Sequence, residues 1–426
     1  MKRAAIVILL LLVAGIGGVS WLGLRGAPAD DSPSPLGAGQ GDAIARGRYL
    51  VQMGDCQACH TEQGGAAFAG GRAIPTPFGN FYSPNITPDD DTGIGRWTAQ
   101  DFRRALHEGR SRDGSLLFPS FPYTNYTRLT RDDTDAMFAY LHSLPPVQAP
   151  PREHQLHFPY DQRLLLLAWR ALFFRPGVYE PQAQQDAEWN RGAYLVQGLG
   201  HCSACHEARN ALGAVQSKDN PAGGLVLNWY APVLSAPQEA GVQDWSIEDI
   251  SALLKTGTAP RGSAFGPMAE VVYESLQHGS DADIRAMAVY LKALKPTAAP
   301  LAAGAIRVPQ RDLQGMQQRG AALYEKHCAD CHGAQGQGRK PAAPALAGNR
   351  AVTMGTAVNP IRAVLFGGYP PGTSGNPRPF GMPPFGSQLN DEQVAELLTY
   401  VRSSWGNQAR PLSSAEVAKN RQGPLW

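Results

Sequence analysis

Three pentapeptides of one pattern carry the chemistry of this sequence: Cys56-Gln57-Ala58-Cys59-His60, Cys202-Ser203-Ala204-Cys205-His206 and Cys328-Ala329-Asp330-Cys331-His332. Two cysteines three positions apart, followed at once by histidine, suit the covalent attachment of haem, in which the thiols bond the edge of a porphyrin and the imidazole takes the proximal iron position. All six cysteines of the chain are used in this way. A zinc site needs four ligands, and nothing pairs the motifs into such sets. A disulfide or a redox dithiol leaves the three histidines without a role. The spacing therefore predicts three haem c groups, attached through Cys56, Cys59, Cys202, Cys205, Cys328 and Cys331, with His60, His206 and His332 as axial iron ligands.

These motifs must be positioned, and the chain around them repeats. Arg46-Gly47-Arg48-Tyr49-Leu50, Arg191-Gly192-Ala193-Tyr194-Leu195 and Arg319-Gly320-Ala321-Ala322-Leu323 each precede a motif and read as an amphipathic leading helix. The glycine suits a position where a second helix crosses closely, because it has no Cβ. At the far end of each repeat stand cap-like openings, Thr130 to Asp133, Ser280 to Asp283 and Asn390 to Gln393. Apolar residues then recur at helical spacing: Met137, Tyr140, Leu141 and Leu144; Ile284, Met287, Leu291 and Leu294; Val394, Leu397, Leu398 and Val401. Pro145, Pro296 and Gly406 stop these helices. Each repeat reads as leading helix, motif, irregular Gly/Pro-rich middle and closing helix, which makes the predicted fold class all-α.

Length and charge bound the rest. With 426 residues the chain has room for several domains of the usual size, and a net charge of +2 gives no basis for nucleic-acid binding. Met1-Lys2-Arg3 precedes an uncharged apolar run from Ala4 to Leu24, long enough to span a bilayer. Ala27-Pro28-Ala29 offers a cleavage site of small residues, so the run is a membrane anchor or an export signal, with the anchor favoured on length. Lys2 and Arg3 stay inside on the positive-inside rule, and the rest of the chain is expected on the periplasmic side of a bacterial inner membrane. The expected divisions are 1–26 (anchor or signal), 27–41 (linker), 42–147 (domain 1), 148–186 (connection), 187–296 (domain 2), 297–315 (linker), 316–405 (domain 3) and 406–426 (tail).

The order of parts resembles the class I cytochrome c fold in three tandem copies. More specifically, the chain from about residue 42 to 405 resembles the triple-haem cytochrome c subunit of bacterial membrane-bound dehydrogenases that oxidise alcohols, sugar acids and aldehydes. The residues that carry the resemblance include Gly54-Asp55-Cys56, Phe68-Ala69-Gly70-Gly71, Ser83-Pro84-Asn85-Ile86-Thr87-Pro88, Thr92-Gly93-Ile94-Gly95-Arg96-Trp97 and Glu188-Trp189-Asn190-Arg191-Gly192. The resemblance implies an electron-transfer subunit, not an enzyme by itself. It implies a separate catalytic dehydrogenase dependent on quinone, flavin or molybdenum, and membrane quinone or a terminal oxidase as acceptor.

The sixth iron ligand of such domains is normally a methionine sulfur in the irregular middle. Gly266-Pro267-Met268 and Gly381-Met382-Pro383 supply Met268 and Met382 in the second and third repeats. In the first, Phe121 stands where much of the family has methionine, and phenylalanine cannot ligate iron. Met137 reads as closing-helix core. His107, which aligns with Lys255, reads as an ordinary exposed position, and the sixth ligand of the first haem is left open: none, or a nearby group such as His107. The Phe121 variant also resembles relatives that serve molybdenum hydroxylases of aldehydes or N-heterocycles. Two other functions are weighed: a peroxidase-like or gas-binding haem protein using an open first haem, and the cytochrome c subunit of a haem-copper oxidase. No catalytic motif supports either.

Leu164 to Phe174 is a dense apolar run, too short to span a membrane. It is read as a helix buried between the first two haem domains, with docking on the catalytic subunit or the bilayer interface as the other options. The acidic run Asp89-Asp90-Asp91 reads as a solvated loop, His201 and His327 as residues near the haems or exposed, and the segment Pro296 to Gly315 as a tether.

Overall fold

The computed structural model describes residues 17–18, 21–24, 43–215, 222–298, 310–339 and 343–422. The fold is helix-rich, 43% helical, as the all-α expectation has it, with short hairpins between the helices. It forms two compact units: residues 1–204 with 209–215, and residues 205–208 with 216–426. Most of the apolar run from Ala4 and all of the expected linker 27–41 lie outside the described residues. Among those described, no helix is long and apolar enough to cross a membrane.

The first unit begins with α1 (Ala43–Met53) and the one-turn α2 (Cys56–His60). A hairpin follows, β1 (Ala73–Thr76) with β2 (Gly79–Tyr82), registered Ile74 opposite Phe81. Then come α3 (Ala99–Glu108), the short α4 (Tyr123–Tyr126) and the closing helix α5 (Arg131–His142). The two-residue β3 (Gln155–Leu156) pairs with β2, and α6 (Leu165–Phe173) and α7 (Ala187–Tyr194) complete the unit, α7 running on into a π-helical turn, Leu195–Leu199.

Local sequence explains these boundaries. Thr130 caps α5 by accepting the Asp133 N–H, and Thr98 forms a reciprocal capping box with Asp101 at the start of α3. The leading and closing helices cross at Gly47, where a Cβ would fall 1.9 Å from the Ala136 carbonyl oxygen. Only glycine fits there. One residue earlier, Arg46 reaches the fully buried Asp133 through Nε and Nη2, at 3.1 and 2.5 Å. The Tyr194 hydroxyl donates to the other oxygen of Asp133 at 2.5 Å. An Asp133→Ala chain is expected to lose about 2–3 kcal/mol, because charged hydrogen bonds to a buried carboxylate disappear and leave their donors unsatisfied. Chemical denaturation checks this.

After the one-turn α8 (Ser203–His206), the second unit contains the hairpin β4 (Gly224–Val226) with β5 (Trp229–Ala231), then α9 (Ile247–Thr256), the small hairpin β6 (Thr258–Ala259) with β7 (Gly262–Ser263), and α10 (Pro267–Glu274). The closing helix α11 (Asp281–Lys292) is capped by Ser280. The third repeat follows with α12 (Gln310–His327), one-turn α13 (Ala329–His332), α14 (Arg350–Thr353), α15 (Val358–Phe366), closing helix α16 (Asp391–Ser403) and α17 (Ser414–Lys419). Asn390 and Gln393 form a full capping box on α16. Gly320 repeats the Gly47 arrangement against α16, and Arg319 Nε bonds Glu396 at 2.6 Å just as Arg46 bonds Asp133. Asn359 and the backbone of Tyr230 exchange hydrogen bonds of 2.9 and 2.8 Å, which fastens α15 to β5.

Several expectations need correction. The middles are not irregular throughout: each contains a helix of nine or ten residues, α3, α9 or α15. The helix α12 already begins at Gln310, inside the stretch read as a tether. The tail, for which the sequence carries no structural expectation, is folded as far as residue 422, with Leu412 and Val417 fully buried and Arg421 bonding the Gly386 and Leu389 carbonyls at 2.7 Å each. The apolar run from Leu164 forms α6, but only Leu166 and Arg170 of that helix are buried. Leu166 packs with Phe81, Leu116 and Phe118, while the opposite side of the helix is open.

Candidate functional site

Each pentapeptide closes a leading helix and forms a single turn of its own, which places its two cysteines on one side, i and i+3, directly before the histidine. The chain turns sharply into the first two motifs: Asp55 and His201 both adopt positive φ, 55° and 38°. None of the six cysteines is paired in a disulfide. Burial pushes the Cys56 thiol up to about 12, with the neighbouring Asp55 adding to it, and Cys328 rises to about 12 for the same first reason. For these two thiols that is the opposite of the shift that redox dithiols and zinc thiolates need. Among the described residues there is also no group of three or more His, Cys, Asp or Glu able to hold a metal ion.

The three histidines share one hydrogen bond. His60 Nδ1 lies 2.8 Å from the Pro84 carbonyl, His206 Nδ1 2.7 Å from that of Pro232, and His332 Nδ1 3.0 Å from that of Pro344. A carbonyl can only accept, so Nδ1 carries the proton in each case and Nε2 presents its lone pair. Burial lowers the pKa of all three, which keeps them neutral. A backbone acceptor on the far nitrogen, fixing tautomer and ring direction, is what an iron-ligating histidine requires. The residues therefore fit haem c.

Two arginines brace the motifs from outside. Arg72 Nη1 donates to the Ala58 carbonyl at 2.5 Å, and Arg209 Nη2 to the Ala204 carbonyl at 2.9 Å, the same position of the pentapeptide in each case. Neither these arginines nor the three proline carbonyls were legible in the sequence. The prolines follow their histidines by 24, 26 and 12 residues, so no fixed spacing announces them.

The residues just before the first two motifs meet within the first unit. The Gly54 carbonyl, two residues before Cys56, accepts from Tyr126 Oη at 2.9 Å and lies 3.3 Å from His201 Nε2, one residue before Cys202. Tyr126 and His201 stand edge to face at 5.4 Å, and Asn125 Nδ2 bonds both the Gln197 carbonyl and Ser203 Oγ. His201 is thus placed near the motifs, while His327 packs on Phe385.

The sixth-position residues are placed as follows. Met268 sits in the first turn of α10, half-buried, after Gly266 at φ 59°. Met382 is half-buried against the third-repeat core, on a backbone bridge with Gly368 of 2.8 and 3.0 Å. Phe121 is half-buried and packs on Tyr126 at 5.5 Å. Met137 is core, as expected, at 1% exposure. His107 departs from its reading as an exposed residue: it is 1% exposed. Its helix α3 packs against both α4 and α5 and buries Phe102, Ala105, Leu106 and His107, whereas α9 buries only Ile250 and Leu254. The wider covered face is why His107 and Lys255 differ.

The spare residues resolve plainly. Asp89 Oδ1 accepts from the N–H groups of Asp91 and Thr92 and from the Thr92 hydroxyl, and Asp91 pairs with Arg96, so the acidic run is a hydrogen-bonded loop. His154 packs between Phe81 and Phe118, and its Nδ1 accepts the Tyr82 N–H at 3.2 Å. Burial, and then the charge of Arg163, lower its pKa. A folded-state value below the unfolded one means the unfolded chain binds the proton more readily, so stability is fully present above about pH 6.5 and declines as pH falls below it. Unfolding curves of a His154→Phe chain are expected to show a flatter pH dependence across that window than the wild type.

Comparison with known proteins agrees with this geometry. The cytochrome c family profile matches residues 44–145 and 317–405. The chain is 42% identical over 383 residues to a nicotinate dehydrogenase subunit of Pseudomonas putida, covering 89% of this chain but only 32% of that longer one. It is 37% identical over 398 residues to the cytochrome c subunit of the quinone-dependent alcohol dehydrogenase of Gluconobacter oxydans, covering 89% and 82% of the two. With the gluconate 2-dehydrogenase cytochrome c subunit of Pantoea cypripedii it shares 38% identity over 397 residues, 89% of each. The chain belongs to the cytochrome c subunits of membrane dehydrogenases, electron-transfer proteins with covalently bound haem c whose catalysis resides in another subunit.

Proposed function

We propose that this chain binds three haem c groups, one at each pentapeptide, in three tandem cytochrome c domains (42–147, 187–296, 316–405), and conducts single electrons from a dehydrogenase subunit to membrane quinone or a terminal oxidase. The observation that supports it best is the repeated Nδ1 bond to a proline carbonyl at His60, His206 and His332. In this reading Cys56, Cys59, Cys202, Cys205, Cys328 and Cys331 form the thioether bonds, and the three histidines offer Nε2 to iron. Met268 and Met382 supply the sixth ligands of the second and third sites. Haem c, when bound, supplies a one-electron iron centre whose potential a methionine ligand raises. With Phe121 in place of that methionine, the first site has the lowest potential of the three.

The N-terminal run anchors the chain on the periplasmic side of a bacterial inner membrane. The 42% relative is named for nicotinate, an N-heterocycle, and the Phe121 variant resembles chains serving molybdenum hydroxylases, so the electron donor proposed is a molybdenum-dependent dehydrogenase of N-heterocycles or aldehydes. Purification from membranes through a tag on this chain, with mass spectrometry of what accompanies it and a haem count per chain, tests the reading. Three haems and a large dehydrogenase subunit are expected; two haems, or a haem-copper oxidase as the companion, would overturn it.

A further inference from the structure

The first unit exposes an apolar face that electron transfer does not use. Residues 21–23 are helical, and their backbone lies directly on α6: a Cβ at Gly23 would fall 2.3 Å from the Leu167 carbonyl oxygen. Arg170, 1% exposed, donates Nε to the Gly23 carbonyl at 2.7 Å and Nη1 to the Glu108 carbonyl, with its guanidinium over the Phe174 ring at 4.7 Å. Arg110 Nη2 donates to the Leu24 carbonyl at 2.8 Å. A guanidinium this deeply buried needs acceptors, and the Gly23 carbonyl is one of them. Arg170 is therefore a clasp inside the protein, not a headgroup contact. The apolar run that starts at Ala4 ends on α6.

What faces outward beside that end is unusual for water. Phe158 and Leu164, in the turns leading into α6, are both 81% exposed, Leu172 is 63% and Trp21 65% exposed. Leu165 and Leu172 are seven residues apart and share one face of α6, while Leu166 and Arg170 occupy the buried side. Exposed apolar side chains on one face of a helix, with more beside it in the chain, mark an interaction surface. Aliphatic residues on one helix face with Trp and Phe beside them match the composition of helices that lie in a membrane interface.

We propose that this face, made of residues 21–24, the turns 158–164 and the outer side of α6, rests in the interface of the lipid bilayer from which the N-terminal run emerges. The inference rests on the reading of that run as a retained anchor, and it commits to lipid because the exposed face is continuous with the point where the anchor joins the body. The first unit, and with it the first haem motif, then has a second attachment at the membrane surface.

The test uses the full-length holo chain with its dehydrogenase, reconstituted in phosphatidylcholine and phosphatidylglycerol vesicles containing a lipid with a photoreactive acyl chain. Adduct positions are mapped by mass spectrometry. Adducts are expected in 158–173 as well as in 1–24, and none at Leu225, which is 71% exposed in the second unit. A chain carrying Leu164→Glu and Leu172→Glu, both at exposed positions, is expected to lose the 158–173 adducts and keep those in 1–24. Adducts confined to 1–24 leave the anchor standing and overturn the face. Cross-links from 158–173 to the dehydrogenase, in place of lipid adducts, also overturn it. A mature N-terminus beyond residue 24 overturns the anchor and the proposal together.

Discussion

A chain with both Cys202 and Cys205 replaced by serine is expected to lose one third of its haem absorbance and to stop delivering electrons to quinone, while the dehydrogenase it accompanies still reduces a soluble dye. In the proposed reading the two thiols are the only covalent hold of the second site, and a serine hydroxyl does not form the thioether. His206, a neutral imidazole on the Pro232 carbonyl, and Met268 would remain as ligands, but neither is a covalent anchor. The substitution should leave the first unit folded. Its contact between motifs runs through Gly54, Tyr126, His201, Asn125 and Ser203, none of which is changed. Haem content per chain and the two electron assays are read on the same preparation. Lower haem content with undiminished quinone reduction would show that electrons bypass the second motif and would sink the proposed serial route.

The second large effect is structural and has opposite signs within one helix. Gly320→Ala is expected to cost about 3 kcal/mol, the upper end for overpacking a close contact. The added Cβ would lie 2.2 Å from the Glu396 carbonyl oxygen and 2.8 Å from the Tyr400 Cβ, so α12 and α16 must move apart. That separation also strains the Arg319–Glu396 bond and loosens the turn that delivers Cys328. Gly315→Ala, one and a half turns earlier in α12, meets only the flexible Arg319 guanidinium at 3.1 Å. There the gain in helix propensity and the smaller unfolded-state entropy should stabilise by about 0.4–1 kcal/mol. Thermal unfolding of the two variants beside the wild type checks the pair. Equal destabilisation by both would mean that the helix crossing is not what Gly320 serves.

Most features with a local signal were legible in the order of the amino acids; the helices that Thr98 and Ser246 open lay in stretches read as irregular. Cysteine spacing marked the three pentapeptides, each of which folds as a single turn. Helical periodicity with Thr130, Ser280 and Asn390 as caps located the closing helices, and all three caps accept the expected N–H. The Arg-Gly pairs pointed to close helix crossings, which Gly47 and Gly320 make. These features depend on residues within a turn or two of one another, and such patterns survive in one dimension. The remainder emerged only when the chain was folded. The Pro84, Pro232 and Pro344 carbonyls clamp the histidines from irregular distances, and any residue has a carbonyl, so no side-chain type marks them. His107 is buried and Lys255 is not, although they occupy matching places, because burial depends on how much of each helix its neighbours cover. The run from Leu164 looked like core because hydrophobicity says that a side chain avoids water without saying what replaces the water. Folding left its outer face open beside Gly23, where the long apolar run of the N-terminus comes to its end.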